Sequence, residues 1–259
     1  SNGLDLETNR SRPAVVIFPG GGYGITYDGE AEPIALKFTA AGAVAVIVWY
    51  SVTGHCPEHP PRFPQALVEG LTAVRWVREH AAELGVNPDN IATLGFSAGG
   101  HLCACTGTLW RHACLAPYLD ANRKPYRPDK LILCYPVITA FGPHHQGSFD
   151  NLLGNGEAMQ TPELLELVSL ERQVADDTPP SFIWHTFSDP AVPVIGSLRF
   201  AQALFEHHVS CEMHLYPQGG HGLCLASHTT SDAFPVDAPF YAADWMEHAV
   251  HFLFDETIR

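Results

Sequence analysis

The segment from Leu94 to His101, with the sequence LGFSAGGH, is the feature that most constrains the fold of this chain. It contains a Gly-x-Ser-x-Gly motif centred on Ser97, preceded by the apolar run 91–94 and followed by a small, apolar stretch of helical character. Glycine on both sides of the serine lets a strand turn sharply into a helix, because no Cβ blocks the close approach of the backbone. The segment therefore predicts a nucleophile elbow, the alternative being a plain Gly- and Ser-rich connection.

Strand-like and helix-like runs alternate along all 259 residues, which predicts an α/β fold with a mostly parallel sheet and helices on both faces. There are no repeats, low-complexity tracts or linkers, so we interpret 1–259 as one domain. The stretch 138–180 breaks the alternation and predicts a lid-like insertion over the sheet. The predicted strands cover 14–18, 43–50, 91–94, 130–135, 181–186 and 211–216, and the predicted helices cover 34–41, 63–84, 101–109, 197–207 and 240–254.

The composition argues against several classes of protein. A formal charge of −14 with three lysines disfavours binding to nucleic acid or to an anionic membrane. Seven cysteines without paired spacing indicate no disulfide framework and favour a reducing, cytoplasmic setting. No stretch is long and apolar enough to span a membrane, and no signal peptide is recognised, although the first residue is Ser1 and a leader could have been trimmed. The sequence leaves a homo-oligomer open.

A run of three glycines, Gly20 to Gly22, directly follows the first predicted strand. Backbone N–H groups in such a loop are unshielded, and beside a nucleophile elbow they form an oxyanion hole. We therefore predict oxyanion donors at the amides of Gly21, Gly22 and Ala98. A phosphate-binding loop is the rival interpretation, but no Gly-Lys-Ser/Thr follows and the G-x-G-x-x-G spacing is absent.

A serine hydroxyl needs a base to become a nucleophile, and the base needs an acid to orient it. In this class of fold the chain order is serine, acid, histidine. His221 lies in a glycine loop just after the last predicted strand, where it can reach over the edge of the sheet. Asp189 follows the strand 181–186 in a loop fixed by prolines, whereas Asp176 and Asp177 precede that strand. The sequence predicts Ser97, Asp189 and His221 as a catalytic triad.

No metal ion or cofactor is expected to take part in the chemistry. The pair His55 and His59 has a proline between its members and cannot form a helical metal site, and the adjacent His144 and His145 converge poorly on one ion. Two aromatic residues, Tyr23 and Trp49, are candidates for stacking on a sugar ring, with ordinary core packing as the alternative.

With these residues placed, the chain resembles the α/β-hydrolase superfamily, and within it the carbohydrate acetyl esterases often labelled acetyl-xylan esterase-like. The resemblance runs from about Arg12 to Leu253. The elbow is shared by many hydrolases, whereas the block 145–154 and the acid loop 189–194 are more specific to this group. The matching blocks are 19–23 (PGGGY), 50–52 (YSV), 95–102 (GFSAGGHL), 145–154 (HQGSFDNLLG), 189–194 (DPAVPV) and 220–223 (GHGL).

The resemblance implies a serine esterase that removes short acyl groups, typically acetyl, from xylo-oligosaccharides or related sugars, as in xylan degradation. The implied partner is a small acylated sugar, with neither nucleic acid nor membrane. Two features depart from the family: little chain precedes Arg12, where further strands are usual, and Gln65-Ala66 replaces a helix start that commonly bears proline and aspartate. The rival hypotheses are a small peptidase or a lipase of the same fold, or an inactive hydrolase-like scaffold. No long apolar lid supports a lipase, and the chain is too short for the extra domain of such peptidases.

Overall fold

The computed structural model describes residues 11–231 and 240–258. Its centre is a six-stranded sheet in the order β2-β1-β3-β4-β5-β6, in which every neighbouring pair is parallel. This confirms the predicted α/β class. The predicted single domain also includes 1–10, 232–239 and 259, which lie outside the described residues. The strands are β1 (Arg12–Phe18), β2 (Val44–Ile47), β3 (Val86–Phe96), β4 (Lys130–Cys134), β5 (Ser181–Thr186) and β6 (Cys211–Tyr216).

The helices fall between the strands, as expected for right-handed crossovers of a parallel sheet. The predicted helix 63–84 is two helices, because the backbone leaves helical geometry at His80 and the second piece ends on Gly85 in a left-handed conformation with φ of +64°. The last predicted helix begins at Trp245, after a 3-10 turn at Tyr241–Asp244. The helices are α1 (Glu32–Ala40), α2 (Gln65–Glu79), α3 (Ala81–Leu84), α4 (Ser97–Thr108), α5 (Gln146–Leu153), α6 (Pro162–Leu167), α7 (Ile195–Glu206) and α8 (Trp245–Phe254).

The sheet buries both of its faces. Along β1, Val16 and its alternate neighbours belong to one apolar cluster, while Val15 and Ile17 belong to the other, as the two-residue period of a strand requires. Helices α2, α4 and α7 cover the first face, and α1 and α8 cover the second. Helices thus lie on both faces of the sheet, as predicted.

The order of the strands reverses at β1. The chain passes from β1 to β2 on one side and then returns, so that β3 pairs with the other side of β1, with Phe18 opposite Gly95. Ligands of open parallel sheets bind at the carboxyl ends of the strands beside such a reversal. The glycine loop and Ser97 both leave the sheet at this point.

Between β4 and β5, the chain forms α5 and α6 and returns across α4. The carbonyl of Val168 and the ring of Phe149, both from this segment, contact His101 of α4. The prediction that 138–180 acts as a lid stays a prediction.

All seven cysteines are free thiols. None of the helices within the described ranges is long and apolar enough to cross a membrane.

Candidate active site

Ser97 lies at the junction of β3 and α4 with a φ of +53°, a left-handed conformation that is strained for a residue with a side chain. The turn is possible because its neighbours lack side chains. A Cβ on Gly95 would lie 2.0 Å from the carbonyl oxygen of Gly99, and one on Gly99 would lie 2.1 Å from that of Phe18. The predicted sharp strand-to-helix turn is therefore present.

The structure brings the imidazole of His221 to Ser97. His221 stands in the loop after β6, and its Nε2 lies 2.8 Å from the Ser97 Oγ. Its Nδ1 lies 2.7 Å from Oδ2 of Asp189, in the loop after β5. A carboxylate only accepts hydrogen bonds, so Nδ1 carries the proton and Nε2 accepts the serine hydroxyl. This is the protonation that a base acting on Ser97 needs.

The side chain of Asp189 is buried and has four polar contacts. Besides His221, the Nε2 of His185 lies 3.3 Å from its Oδ2, and the backbone N–H groups of Ala191 and Val192 both donate to Oδ1 at 2.9 Å. Burial by itself would raise the pKa of Asp189, but the hydrogen bonds from His185 and His221 outweigh it and hold the pKa well below its ordinary value. Asp189 is therefore a carboxylate at neutral pH.

His185 was not identified in the sequence, although it helps to hold Asp189. It is fully buried on β5, its Nδ1 accepts the hydroxyl of Ser197 at 2.9 Å, and its Nε2 also reaches the carbonyl of Val192 at 3.0 Å. A histidine within an apolar strand reads as a core residue, and nothing local in the sequence indicates this contact.

The glycine loop packs directly against the elbow. A Cβ on Gly20 would lie 3.0 Å from the Cβ of Ser97, and φ is +127° at Gly21 and +64° at Gly22. Within the described part of the chain, the N–H groups of Gly21 and Gly22 have no hydrogen-bond acceptor. Ala98 follows Ser97 at the first turn of α4, where backbone N–H groups lack intrahelical partners. Their role as oxyanion donors stays a prediction.

Two side chains from outside the glycine loop hold it in place. The buried carboxylate of Glu30 accepts the N–H of Gly20 at 2.7 Å, and the amide of Asn151, on α5, donates to the carbonyl of Gly22 at 2.9 Å. Burial raises the pKa of Glu30, and hydrogen bonds from the Tyr135 hydroxyl and the Gly20 N–H act against that rise. Sequence reasoning gave neither residue a role: Glu30 lies 10 positions from Gly20 but in no recognised motif, and Asn151 lies within the block 145–154 but meets Gly22 across 129 positions.

His145 is close to the same loop. Its Cε1 would be 3.8 Å from a Cβ on Gly22, and its Nδ1 is 2.9 Å from the hydroxyl of Ser148. Partial burial, followed by the charge of His221, lowers the pKa of His145. This segment of the insertion thus places a neutral imidazole beside the candidate oxyanion loop.

The two aromatic candidates for stacking on a sugar, Tyr23 and Trp49, differ in their exposure to solvent. Tyr23 is only 3% exposed, its ring packs on Tyr50 and His101, and its hydroxyl bonds to Nδ1 of His101 at 2.9 Å. The prediction that Tyr23 stacks on a sugar is wrong, because the ring is enclosed by the core. Trp49, beyond the carboxyl end of β2, is 51% exposed, and its contact with a sugar stays a prediction.

The sequence of this chain matches one protein family and is similar to two named enzymes. The family described as BD-FAE matches residues 4–204. Endo-1,4-beta-xylanase B of Butyrivibrio fibrisolvens is 37% identical over 83% of this chain and 33% of its own length. The acetylxylan esterase of Xylanibacter ruminicola is 31% identical over 84% of this chain and 42% of its own. The chain thus spans about a third to two fifths of these relatives.

Among solved structures, an acetyl ester-xyloside bifunctional hydrolase from Caldicellulosiruptor lactoaceticus is similar over nearly the whole chain. Its TM-score is 0.80 at 36% identity, and the match covers 94% of this chain and 82% of that one. The fold that brings Ser97, His221 and Asp189 together is therefore shared with an ester hydrolase.

Proposed function

The chain belongs to the BD-FAE family of α/β hydrolases, and we propose that it is a serine carboxylesterase that removes short acyl groups, acetyl above all, from xylo-oligosaccharides or related sugars. The observation that carries this proposal is the continuous hydrogen-bonded chain from Asp189 through His221 to Ser97. It stands beside a glycine loop with free N–H groups, which is the arrangement that acyl transfer to serine requires.

In the proposed reaction, His221 Nε2 takes the Ser97 proton as Oγ attacks the ester carbonyl. Asp189 keeps the imidazole in place and stabilises its cation. The N–H groups of Gly21, Gly22 and Ala98 then stabilise the oxyanion, each donor being worth about 3 kcal/mol of the barrier.

Collapse of this intermediate breaks the bond between the acyl carbon and the sugar oxygen. His221 gives its proton to the leaving sugar oxygen, which departs as an alcohol. A water molecule, deprotonated by the same imidazole, next attacks the acyl-Ser97 ester, and the acid is released with the hydroxyl of Ser97 restored. The residues named here complete the cycle without a cofactor.

The sugar ester is the finer part of the proposal and draws its support from the relatives. One is named an acetylxylan esterase and a structural neighbour an acetyl ester-xyloside hydrolase. The xylanase relative gives no support for a xylanase activity of this chain, because the match covers only a third of that protein. The acidic surface also suits an uncharged substrate better than an anionic one.

The test compares release of acetate from acetylated xylo-oligosaccharides with hydrolysis of p-nitrophenyl acetate. The proteins are the wild type, Ser97→Ala and the control Ser210→Ala, which removes an exposed hydroxyl. We expect both esters to be cleaved by the wild type and the control, and neither by Ser97→Ala. Cleavage of the nitrophenyl ester alone would reject the sugar substrate but keep the serine chemistry. Full activity of Ser97→Ala, or an inactive wild type, would reject the esterase.

A further inference from the structure

Three metal-ligating side chains meet at the outer edge of the sheet, away from Ser97. Glu212 and His214 are two residues apart on the edge strand β6 and so project to the same face. His248 reaches them from α8. One ligand atom from each residue can be chosen so that all three lie within 4.8 Å of one another.

The ring of His214 is held on both sides. It stacks on His248 with centroids 4.3 Å apart and an interplanar angle of 23°, and Phe182 packs against it at 5.3 Å. Its Nε2 lies 2.7 Å from Oε1 of Glu212. Packing thus limits the motion of the His214 ring, which lowers the entropy that binding an ion must overcome.

The cluster carries negative charge and is open to solvent. The side chains of His214, Glu212 and His248 are 25%, 37% and 41% exposed. A second carboxylate, that of Asp244, lies 3.8 Å from Nε2 of His248 and also accepts the hydroxyl of Tyr216. Two carboxylates beside two imidazoles would balance the charge of one divalent cation.

We propose that Glu212, His214 and His248 bind a zinc ion that joins β6 to α8. Two imidazoles and a carboxylate are a ligand set that zinc prefers, at about 2.0–2.2 Å from the metal, and water would complete the tetrahedron. The ligand atoms, which can be chosen within 4.8 Å of one another, would close further around the ion by rotation of Glu212 and His248 toward His214. The neutral His214 then carries its proton on Nδ1, and Nε2 binds the metal in place of its hydrogen bond to Glu212.

The test is a calorimetric titration of the metal-free chain with zinc ions. The variants are His248→Ala and Glu212→Gln, and the control is His207→Ala, which removes an exposed histidine paired with Asp176 elsewhere on the surface. Loss of an outer partner of a metal ligand costs about 10- to 100-fold in affinity, so loss of a ligand should cost at least as much. We expect both variants to show this loss and the control to bind as the wild type does.

Thermal melts provide a second readout, since an ion that binds only the folded chain stabilises it. At free zinc about a hundredfold above the dissociation constant, the Tm of the wild type should rise by about 5 to 10 °C, and that of His248→Ala should not. Equal zinc affinities for the wild type and both variants, or no zinc binding by the wild type, would overturn the proposal. Because β6 and α8 hold none of the triad residues, neither result bears on the esterase.

Discussion

Glu30 and Tyr135 are joined by a hydrogen bond of 2.7 Å beneath the active site, from the tyrosine hydroxyl to Oε1 of the carboxylate. The other carboxylate oxygen accepts the N–H of Gly20, and the ring of Tyr135 packs edge-on against His221 with centroids 5.0 Å apart. One buried pair therefore supports both the glycine loop and the histidine that must work beside it.

We expect Glu30→Gln to lower kcat with little change in KM. If the single oxygen of the glutamine amide keeps the Gly20 N–H, the NH₂ group faces the Tyr135 hydroxyl, which must turn from donor to acceptor, and a neutral oxygen holds the loop less firmly than a carboxylate does. Removal of one oxyanion donor costs about 10²- to 10³-fold, and a displaced loop should cost about tenfold or more. Steady-state kinetics with p-nitrophenyl acetate measures this. The exposed neighbour Glu32→Gln removes the same charge as a control, and equal activities of the two variants would contradict the supporting role of Glu30.

Asp189→Asn should reduce kcat by about 10⁴-fold while the protein remains folded. The asparagine oxygen must accept the N–H groups of Ala191 and Val192, which turns its NH₂ toward His221. The imidazole would then accept at Nδ1 and carry its proton on Nε2, where it cannot take the proton of Ser97. The control is Asp176→Asn, a surface carboxylate paired with His207. A loss of less than tenfold in Asp189→Asn would show that Asp189 does not set this tautomer.

Asn151→Asp should also slow the reaction. Aspartate has the shape of asparagine but no N–H to donate, so the carbonyl of Gly22 loses its partner at 2.9 Å and faces a carboxylate instead. We expect kcat to fall about tenfold or more, by the same loss of loop geometry as in Glu30→Gln. The exposed Asn155→Asp, in the same segment, adds an equal charge as a control. Unchanged kcat in Asn151→Asp would mean that the loop keeps its geometry without this hydrogen bond.

The stability of the protein should depend on pH through His101. This histidine is fully buried, and burial lowers its pKa to about 4, against about 6.5 in an unfolded chain. The unfolded state therefore binds the proton more tightly. Stability from this group is complete above pH 6.5, falls as the pH decreases from 6.5 to 4, and changes no further below that. The full change is about 3 kcal/mol.

Urea unfolding between pH 4 and 8 measures this dependence. His101→Gln keeps a donor for the Val168 carbonyl and an acceptor for the Tyr23 hydroxyl, but it does not titrate. Between pH 8 and pH 4, the free energy of unfolding of this variant should therefore fall less than that of the wild type, by up to about 3 kcal/mol. The exposed His59→Gln should follow the wild type. Parallel curves for the wild type and His101→Gln would rule out His101 as the source.

The sequence was sufficient to indicate which residues meet, where short motifs and chain order place them. Ser97 was identifiable from its glycines, and the geometry then joined it to His221 and Asp189 as that order predicted. Contacts between distant positions were invisible: Glu30 meets Tyr135 across 105 positions, and Asn151 meets Gly22 across 129. Glu30 stands in no recognised motif, and the block 145–154 that contains Asn151 does not reveal which loop this residue contacts.

Element boundaries failed for physical reasons that the structure makes clear. The strand β3 begins at Val86, well before the predicted 91–94. The prediction missed the first part of this strand because it carries polar residues and a proline, although Val86 pairs with Arg12 of β1. For Tyr23 the sequence left sugar stacking and core packing open, because an aromatic residue in a glycine loop looks accessible until the rings that enclose it are known.

The strand order has a consequence for synthesis of the protein. The glycine loop emerges from the ribosome first, but its supports come from positions 135 and 151, and its histidine comes from position 221, beyond the last strand. A nascent or truncated chain that ends before β6 therefore contains Ser97 without a base. In the proposed mechanism, the capacity to hydrolyse esters would therefore arise only after the chain has reached His221 and the loop after β6 has folded against Ser97.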